Sequence, residues 1–175
     1  MKPFCISFAG PAGCSKTPVA QHLSCNLQLP VLNNDVIRTE MREDEDRYDY
    51  DEQAFRTRAR QRLQALATRK VSFIYDASHD RFWAKFQKEF PVSDYNFGII
   101  SFDLSREFYE KLLIAKKYDH TLTRAEVYME QHAAFIKDYP EMIICTITDE
   151  TFHDRLAISL EAVRKFIDDR TALIR

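Results

Sequence analysis

Short apolar runs alternate along the chain with longer segments in which apolar residues recur every three or four positions. Such runs are typical of buried strands, and the periodic segments are typical of amphipathic helices. The pattern predicts strands at Phe4–Ala9, Val31–Asn33, Val71–Asp76, Phe97–Phe102 and Met142–Ile147. It predicts helices over residues 15–29, 35–40, 51–68, 81–90, 105–117, 123–137 and 156–173. Regular alternation of this kind indicates an α/β fold with a mostly parallel five-stranded sheet.

Two neighbouring segments carry opposite charge. Residues 41–52 are dense in acid and tyrosine, which indicates a solvated loop or, alternatively, an acidic surface that steers substrate. The helix that follows has a capping residue at Asp51 and an apolar face opposite a cluster of four arginines, Arg56, Arg58, Arg60 and Arg62. A nucleic-acid acceptor would need a basic groove, and this arginine cluster would supply it. The acidic segment beside the arginines, however, would repel phosphate.

Composition narrows the class of protein. The chain has 175 residues, 45% hydrophobic and 30% charged, which predicts one globular domain over residues 1–175. A net charge of −2 excludes a generally basic nucleic-acid coat but not a local basic patch. No apolar run approaches ~20 residues, so no membrane contact is expected. The absence of a long apolar segment at the N-terminus and the four unpaired cysteines together predict a cytoplasmic protein with free thiols, Cys5, Cys14, Cys25 and Cys145.

The sharpest motif lies between the first strand and the first helix. It reads Gly10, Pro11, Ala12, Gly13, Cys14, Ser15, Lys16 and Thr17. It fits the phosphate-loop template G-x-x-x-x-G-K-[ST] except at Ser15, where the template has glycine. Backbone N–H groups of such a loop form a nest for phosphate oxygens, and the helix N-terminus adds positive partial charge. All eight residues are therefore predicted to bind ATP, with Lys16 at the β- and γ-phosphates and Thr17 on Mg²⁺. The alternative is a turn with an incidental Lys-Thr.

Carboxylates follow the second and third predicted strands. Asp35 precedes Arg38 by one helical turn, so both share a helix face, and Asp35 is either a general base or a helix cap. Asp76 ends the third strand, where it either supports Mg²⁺ or caps the next helix. Beyond it, His79 is expected as a surface loop histidine, and Arg81 as a candidate contact to substrate phosphate. The other histidines have no partner at zinc-ligand spacing.

With Asn34-Asp35-Val36-Ile37-Arg38 and Tyr75-Asp76-Ala77-Ser78 in this order, residues 3–149 resemble the P-loop small kinases of the zeta-toxin, polynucleotide 5′-kinase and gluconate-kinase type. The resemblance implies a three-layer P-loop NTPase-type fold with a small helical lid at about residues 105–139. It also implies that Asp35 faces the acceptor hydroxyl and that Arg38 holds the acceptor. Arg124 is the implied lid cation, and Lys116 and Lys117 lie in the same segment.

These features predict an ATP- and Mg²⁺-dependent kinase that transfers the γ-phosphate to a hydroxyl of a small metabolite, a nucleoside or a nucleic-acid end. The acidic segment tilts the expectation towards a metabolite or nucleoside. The alternative is a non-catalytic nucleotide-binding regulatory module, which Ser15 and the few lid arginines favour. A GTP-dependent switch is disfavoured because the chain has no Asn-Lys-x-Asp guanine motif.

Overall fold

The computed structural model describes residues 2–45 and 49–172. Five strands form one sheet in the order β2-β3-β1-β4-β5, and every neighbouring pair is parallel. The strands are β1 (Phe4–Ala9), β2 (Val31–Asn33), β3 (Phe73–Ser78), β4 (Asn96–Phe102) and β5 (Ile143–Ile147). The α/β prediction with a parallel five-stranded sheet is confirmed.

Eight α-helices are described in these two ranges. They are α1 (Lys16–Leu27), α2 (Asn34–Glu45), α3 (Glu52–Thr68), α4 (Trp83–Glu89), α5 (Arg106–Ala115), α6 (Asp119–Leu122), α7 (Ala125–Asp138) and α8 (Arg155–Ala172). Within the same ranges, none is long and apolar enough to cross a membrane.

The helices cover both faces of the sheet, because side chains of a strand alternate between its two sides. Ile6 and Phe8 of β1 belong to one core, which is completed by residues of α1, α5 and α8. Cys5 and Ala9 belong to the other core, which is rich in aromatic rings and is completed by α3, α4 and α7. The result is three layers with the sheet in the middle.

Helix α2 is longer than the sequence pattern predicts. It continues to Glu45 into the acidic segment that was expected to be a loop. The segment is helical because it packs against α3: Met41 is buried in one cluster with Phe55, and Asp44 contacts Arg58 at 3.1 Å. Residues 46–48 of the predicted loop lie outside the described residues.

Strand register brings polar residues to one edge of the sheet. Asn33 of β2 pairs with Asp76 of β3, and Ser78 of β3 pairs with Phe8 of β1. The predicted third strand is shifted, since it begins at Phe73 and reaches Ser78. Carboxyl ends of parallel strands are where α/β proteins bind ligands.

Candidate active site

The loop between β1 and α1 requires two of its glycines. Gly10 has φ 140° and Gly13 has φ 82°, conformations that side chains with a Cβ rarely adopt. A Cβ at Gly10 would lie 2.8 Å from the Phe102 Cβ, and one at Gly13 would lie 2.8 Å from Leu113. The glycines therefore let the loop pack against β4 and α5.

Ser15 occupies a left-handed conformation, with φ 72° and ψ 37°. This is the position where the template has glycine, and the left-handed region costs an L-residue roughly 1–2 kcal/mol. The Ser15 hydroxyl accepts a hydrogen bond from the Lys116 ammonium at 2.6 Å. The same ammonium donates to the Gly13 carbonyl at 2.6 Å. Burial lowers the pKa of Lys116, and the charges of Arg155 and Lys16 act in the same direction, whereas Cys14 opposes them.

Lys16 bonds to carbonyl oxygens of its own loop. Its ammonium donates to Gly10 at 2.8 Å and to Pro11 at 2.6 Å, and lies 3.3 Å from the Cys14 sulfur. A charged phosphate oxygen is a stronger acceptor than a neutral carbonyl. A nucleotide phosphate can therefore compete with the loop carbonyls for this ammonium.

A buried polar network holds the base of the loop. The Asp80 carboxylate accepts from the Gly10 N–H at 2.7 Å and from His132 Nδ1 at 3.0 Å. Ser78 donates to the Gly10 carbonyl at 2.6 Å, and Ser101 lies 3.3 Å from His132 Nε2. Burial raises the pKa of Asp80, but the bond and charge of His132, the Lys16 charge and the Gly10 N–H outweigh it, so the pKa lies below its ordinary value.

Sequence reasoning missed this network. Asp80 and His132 are 52 positions apart, and nothing in the pattern pairs α7 with the end of β3. Some indication was present, because a carboxylate shortly after β3 lies beside β1 whenever the two strands are neighbours.

Asp76 lies beside the start of α1. It accepts a hydrogen bond from Asn33 at 2.6 Å. Burial raises the pKa of the Asp76 carboxyl, although the Thr17 hydroxyl, the Lys16 charge and Asn33 lower it. The structure thus brings together the two predicted Mg²⁺ residues, Thr17 and Asp76. Mg²⁺ keeps several waters and takes one or two protein oxygens plus phosphates, and these groups fit that donor set. In the part of the chain that the structure describes, no three His, Cys, Asp or Glu residues cluster as metal ligands.

Asp35 does not cap α2. The Asn33 side chain accepts from the Asp35 and Val36 N–H groups at 2.7 and 3.4 Å, so Asn33 is the cap. The Asp35 carboxylate instead contacts Arg38 at 2.6 Å, and its side chain is 83% exposed. The capping alternative for Asp35 is wrong, and the carboxylate is accessible to a ligand.

Arg38 is held from three sides. Besides Asp35, it donates to the Tyr50 hydroxyl at 3.0 Å, and its guanidinium lies 4.3 Å from the centre of the Phe55 ring. Such fixation lowers the entropic cost of binding a ligand.

A cavity of about 1070 Å³ connects these groups. It is lined by loop residues 12–17 and by Asp35, Arg38, Asp76 and Lys116. The lining also includes aromatic and cationic side chains, Phe55, Arg56, Arg60, Tyr75, Arg81, Phe82 and Lys85. The cavity is large enough for a nucleotide and a second small substrate.

The resemblance implies that Arg124 is the lid cation. Arg124 precedes α7 and is not among the residues that line the cavity; its guanidinium lies 5.4 Å from the Tyr128 ring centre. Its role as lid cation stays a prediction.

The surface assignment of His79 is wrong, because the residue is 1% exposed and packs among Tyr75, Trp83, Phe86 and Phe97.

Comparison with known proteins places this geometry in a family. Residues 6–142 match the AAA domain family. The chain belongs to this family. The match spans the phosphate loop, Asp35, Asp76 and Arg124. No match is found among curated protein sequences.

Solved structures share the fold of this AAA domain at low identity. A gluconokinase from Sinorhizobium meliloti is 11% identical, with a TM-score of 0.62 over 99% of both chains. A shikimate kinase from Acinetobacter baumannii in complex with shikimate is 18% identical, with a TM-score of 0.56 over 93% of this chain and 94% of that one. A dephospho-CoA kinase from Campylobacter jejuni is 10% identical, with a TM-score of 0.55 over 95% and 98%. These likenesses establish the P-loop NTPase-type fold.

Proposed function

We propose that the protein is an ATP-dependent kinase that transfers the γ-phosphate to a hydroxyl group. The observation that carries the proposal is one cavity whose lining includes both the phosphate loop and the Asp35–Arg38 pair. Phosphoryl transfer needs positioning and charge neutralisation rather than covalent chemistry, and this arrangement provides both. The solved structures with the same fold carry kinase names, which supports the reaction class.

Each residue has a role in this proposal. Backbone N–H groups of the loop and Lys16 bind the phosphates, while Thr17 and Asp76 hold Mg²⁺, which neutralises phosphate charge when bound. Asp35 accepts the proton of the acceptor hydroxyl, and Arg38 holds the acceptor. A carboxylate in this position raises the rate typically by ~10²–10⁴.

The acceptor is proposed to carry negative charge, a flat ring or both. Of the described residues that line the cavity, the cations are Lys16, Arg38, Arg56, Arg60, Arg81, Lys85 and Lys116, and the acids are Asp35, Glu52, Asp76 and Glu89. This positive excess contrasts with the net charge of −2 of the whole chain. The exposed Phe82 offers a ring surface beside Arg81. A nucleoside, a nucleic-acid end or an acidic metabolite satisfies this chemistry.

A panel of such acceptors tests the proposal. Purified protein is incubated with Mg²⁺ and γ-labelled ATP, and label transfer is measured for each acceptor. Lys16→Ala is expected to remove transfer and to weaken ATP binding while circular dichroism stays unchanged, since Lys16 supplies a point charge to the β- and γ-oxygens. A folded Lys16→Ala variant with unchanged ATP affinity would contradict the assignment of the loop.

A non-catalytic nucleotide-binding module is the second candidate, and the Ser15 departure from the template favours it. It predicts ATP binding with no label transfer to any acceptor and with no steady-state consumption of ATP.

A further inference from the structure

Ser15 keeps a left-handed backbone although it is not a glycine. Serine has one feature that glycine would lack, a hydroxyl that accepts a hydrogen bond from the Lys116 ammonium at 2.6 Å. A serine in place of the template's glycine therefore accepts a strained backbone and gains a side-chain contact between the phosphate loop and the segment that follows α5.

Lys116 is suited to a second phosphate contact. It is the first residue after α5, and it lines the same cavity as loop residues 12–17. An ammonium has three N–H donors, and the structure uses two of them, on Ser15 and on the Gly13 carbonyl. Both acceptors belong to the loop that would cradle a nucleotide, so the third donor stays beside the phosphate positions.

Arg124 lacks this placement, since it lies over Tyr128 and outside the cavity lining. Lys116 is thus the cation from the predicted lid segment, about residues 105–139, that reaches the loop directly in the described chain.

We infer that Ser15 is a positioning residue that holds Lys116 beside the phosphate loop, and that Lys116 rather than Arg124 supplies the second cation to the nucleotide phosphates. The inference rests on the proposed nucleotide site. It explains how the loop tolerates a left-handed serine and how a segment poor in arginine still presents a cation.

A double-mutant cycle tests the pair. Ser15→Gly, Lys116→Met and the double variant are titrated by calorimetry with a non-hydrolysable ATP analogue and Mg²⁺, and separately with adenosine. Lys116→Met should weaken analogue binding roughly tenfold or more, the size expected for a hydrogen bond to a charged group. Ser15→Gly should weaken it about three- to tenfold, and the double variant should match Lys116→Met alone.

Two readouts separate positioning from structural damage. Ser15→Gly should unfold at the wild-type temperature or above it, because glycine relieves the left-handed backbone. Adenosine has no phosphate, so its affinity should not change in any variant. Ser15→Ala removes the hydroxyl but keeps the Cβ, and it should repeat the loss of analogue binding. Lys111→Met is the matched control, since Lys111 is an exposed lysine of α5 that pairs with Glu107.

The inference is overturned if Ser15→Gly binds the analogue as tightly as wild type, or if the losses of the two single variants add in the double variant. If wild type binds the analogue in a Lys16-dependent way and the cycle shows no coupling, only this inference fails. If the wild-type protein binds no analogue, both the proposed function and this inference fail.

Discussion

His79 should make folding stability depend on pH between neutral and mildly acidic conditions. Its ring lies 4.5 Å from the Phe86 ring centre and 5.2 Å from that of Trp83, and Nε2 has no hydrogen-bond partner within the described chain. Burial lowers the pKa of His79 to about 3, with the Asp80 charge opposing only in part. The folded protein therefore keeps this imidazole neutral where the unfolded chain, with an ordinary pKa near 6.5, protonates it.

The sign and size of the change in unfolding free energy follow from proton linkage. Between pH 6.5 and about 3 the unfolded state binds more protons, so stability contributed by the neutral His79 is lost as pH falls through this window. Each pH unit corresponds to about 1.4 kcal/mol, so the free energy of unfolding should fall by about 2 kcal/mol between pH 7.5 and pH 5 on account of this group. With a urea m-value of ~1–3 kcal/mol/M, the urea concentration at the unfolding midpoint should fall by roughly 1 M over this pH interval.

The assay is urea unfolding at pH 7.5, 6 and 5 for wild type, His79→Phe and His153→Gln. Phenylalanine keeps a ring in the aromatic cluster and cannot titrate, so this variant should lose about 2 kcal/mol less than wild type over the same interval. His153 is exposed, and its replacement should keep the wild-type slope. Equal slopes in wild type and His79→Phe would refute the claim that the folded state holds His79 neutral.

Three further substitutions address the site. Asp35→Asn should lower kcat by ~10²–10⁴ with ATP affinity within about threefold, because the carboxylate acts on the acceptor; retention of more than about half of kcat would contradict the general-base role. Asp76→Asn should raise the Mg²⁺ concentration for half-maximal activity by roughly tenfold or more, and a wild-type Mg²⁺ dependence would leave Asp76 a structural role. Asp80→Asn should destabilise the fold by about 1–3 kcal/mol in thermal or urea unfolding, since asparagine is neutral and places an NH₂ donor where Oδ1 accepts from the Gly10 N–H at 3.0 Å; unchanged stability would mean that the loop base does not depend on this carboxylate.

The sequence predicts most of the fold and the contiguous part of the site. β1 and β2 have the predicted bounds, because each is a short apolar run that ends at a glycine or at polar residues. The loop is predictable for a related reason: Gly10, Gly13 and Lys16 are neighbours in sequence, and the positive φ angles at residues 10 and 13 favour glycine.

The missed features depend on contacts between distant segments. His79 stands among Ser78, Asp80 and Arg81, and this polar surrounding indicates a surface loop. In the structure the His79 N–H donates to the Phe8 carbonyl at 3.0 Å, which extends the pairing of β3 with β1 by one residue, and the ring turns into the aromatic core. No periodicity encodes that turn, and none encodes the docking of His132 onto Asp80.

The four arginines of α3 lie on two sides of the helix rather than together on one face opposite the apolar residues. Arg56 and Arg60 are four residues apart and share one helix face, while Arg58 and Arg62 are offset by two residues and therefore point to nearly the opposite side. The structure follows this geometry: Arg56 and Arg60 line the cavity, whereas Arg58 and Arg62 pair with acids of α2. Of the acids in residues 41–52, Asp44 is thus paired with Arg58, whereas Glu52 lines the cavity and pairs with Arg56. The sequence favours a metabolite or nucleoside as acceptor because of these acids, but cations outnumber acids among the described residues of the cavity lining. Negatively charged acceptors therefore belong at the head of the panel.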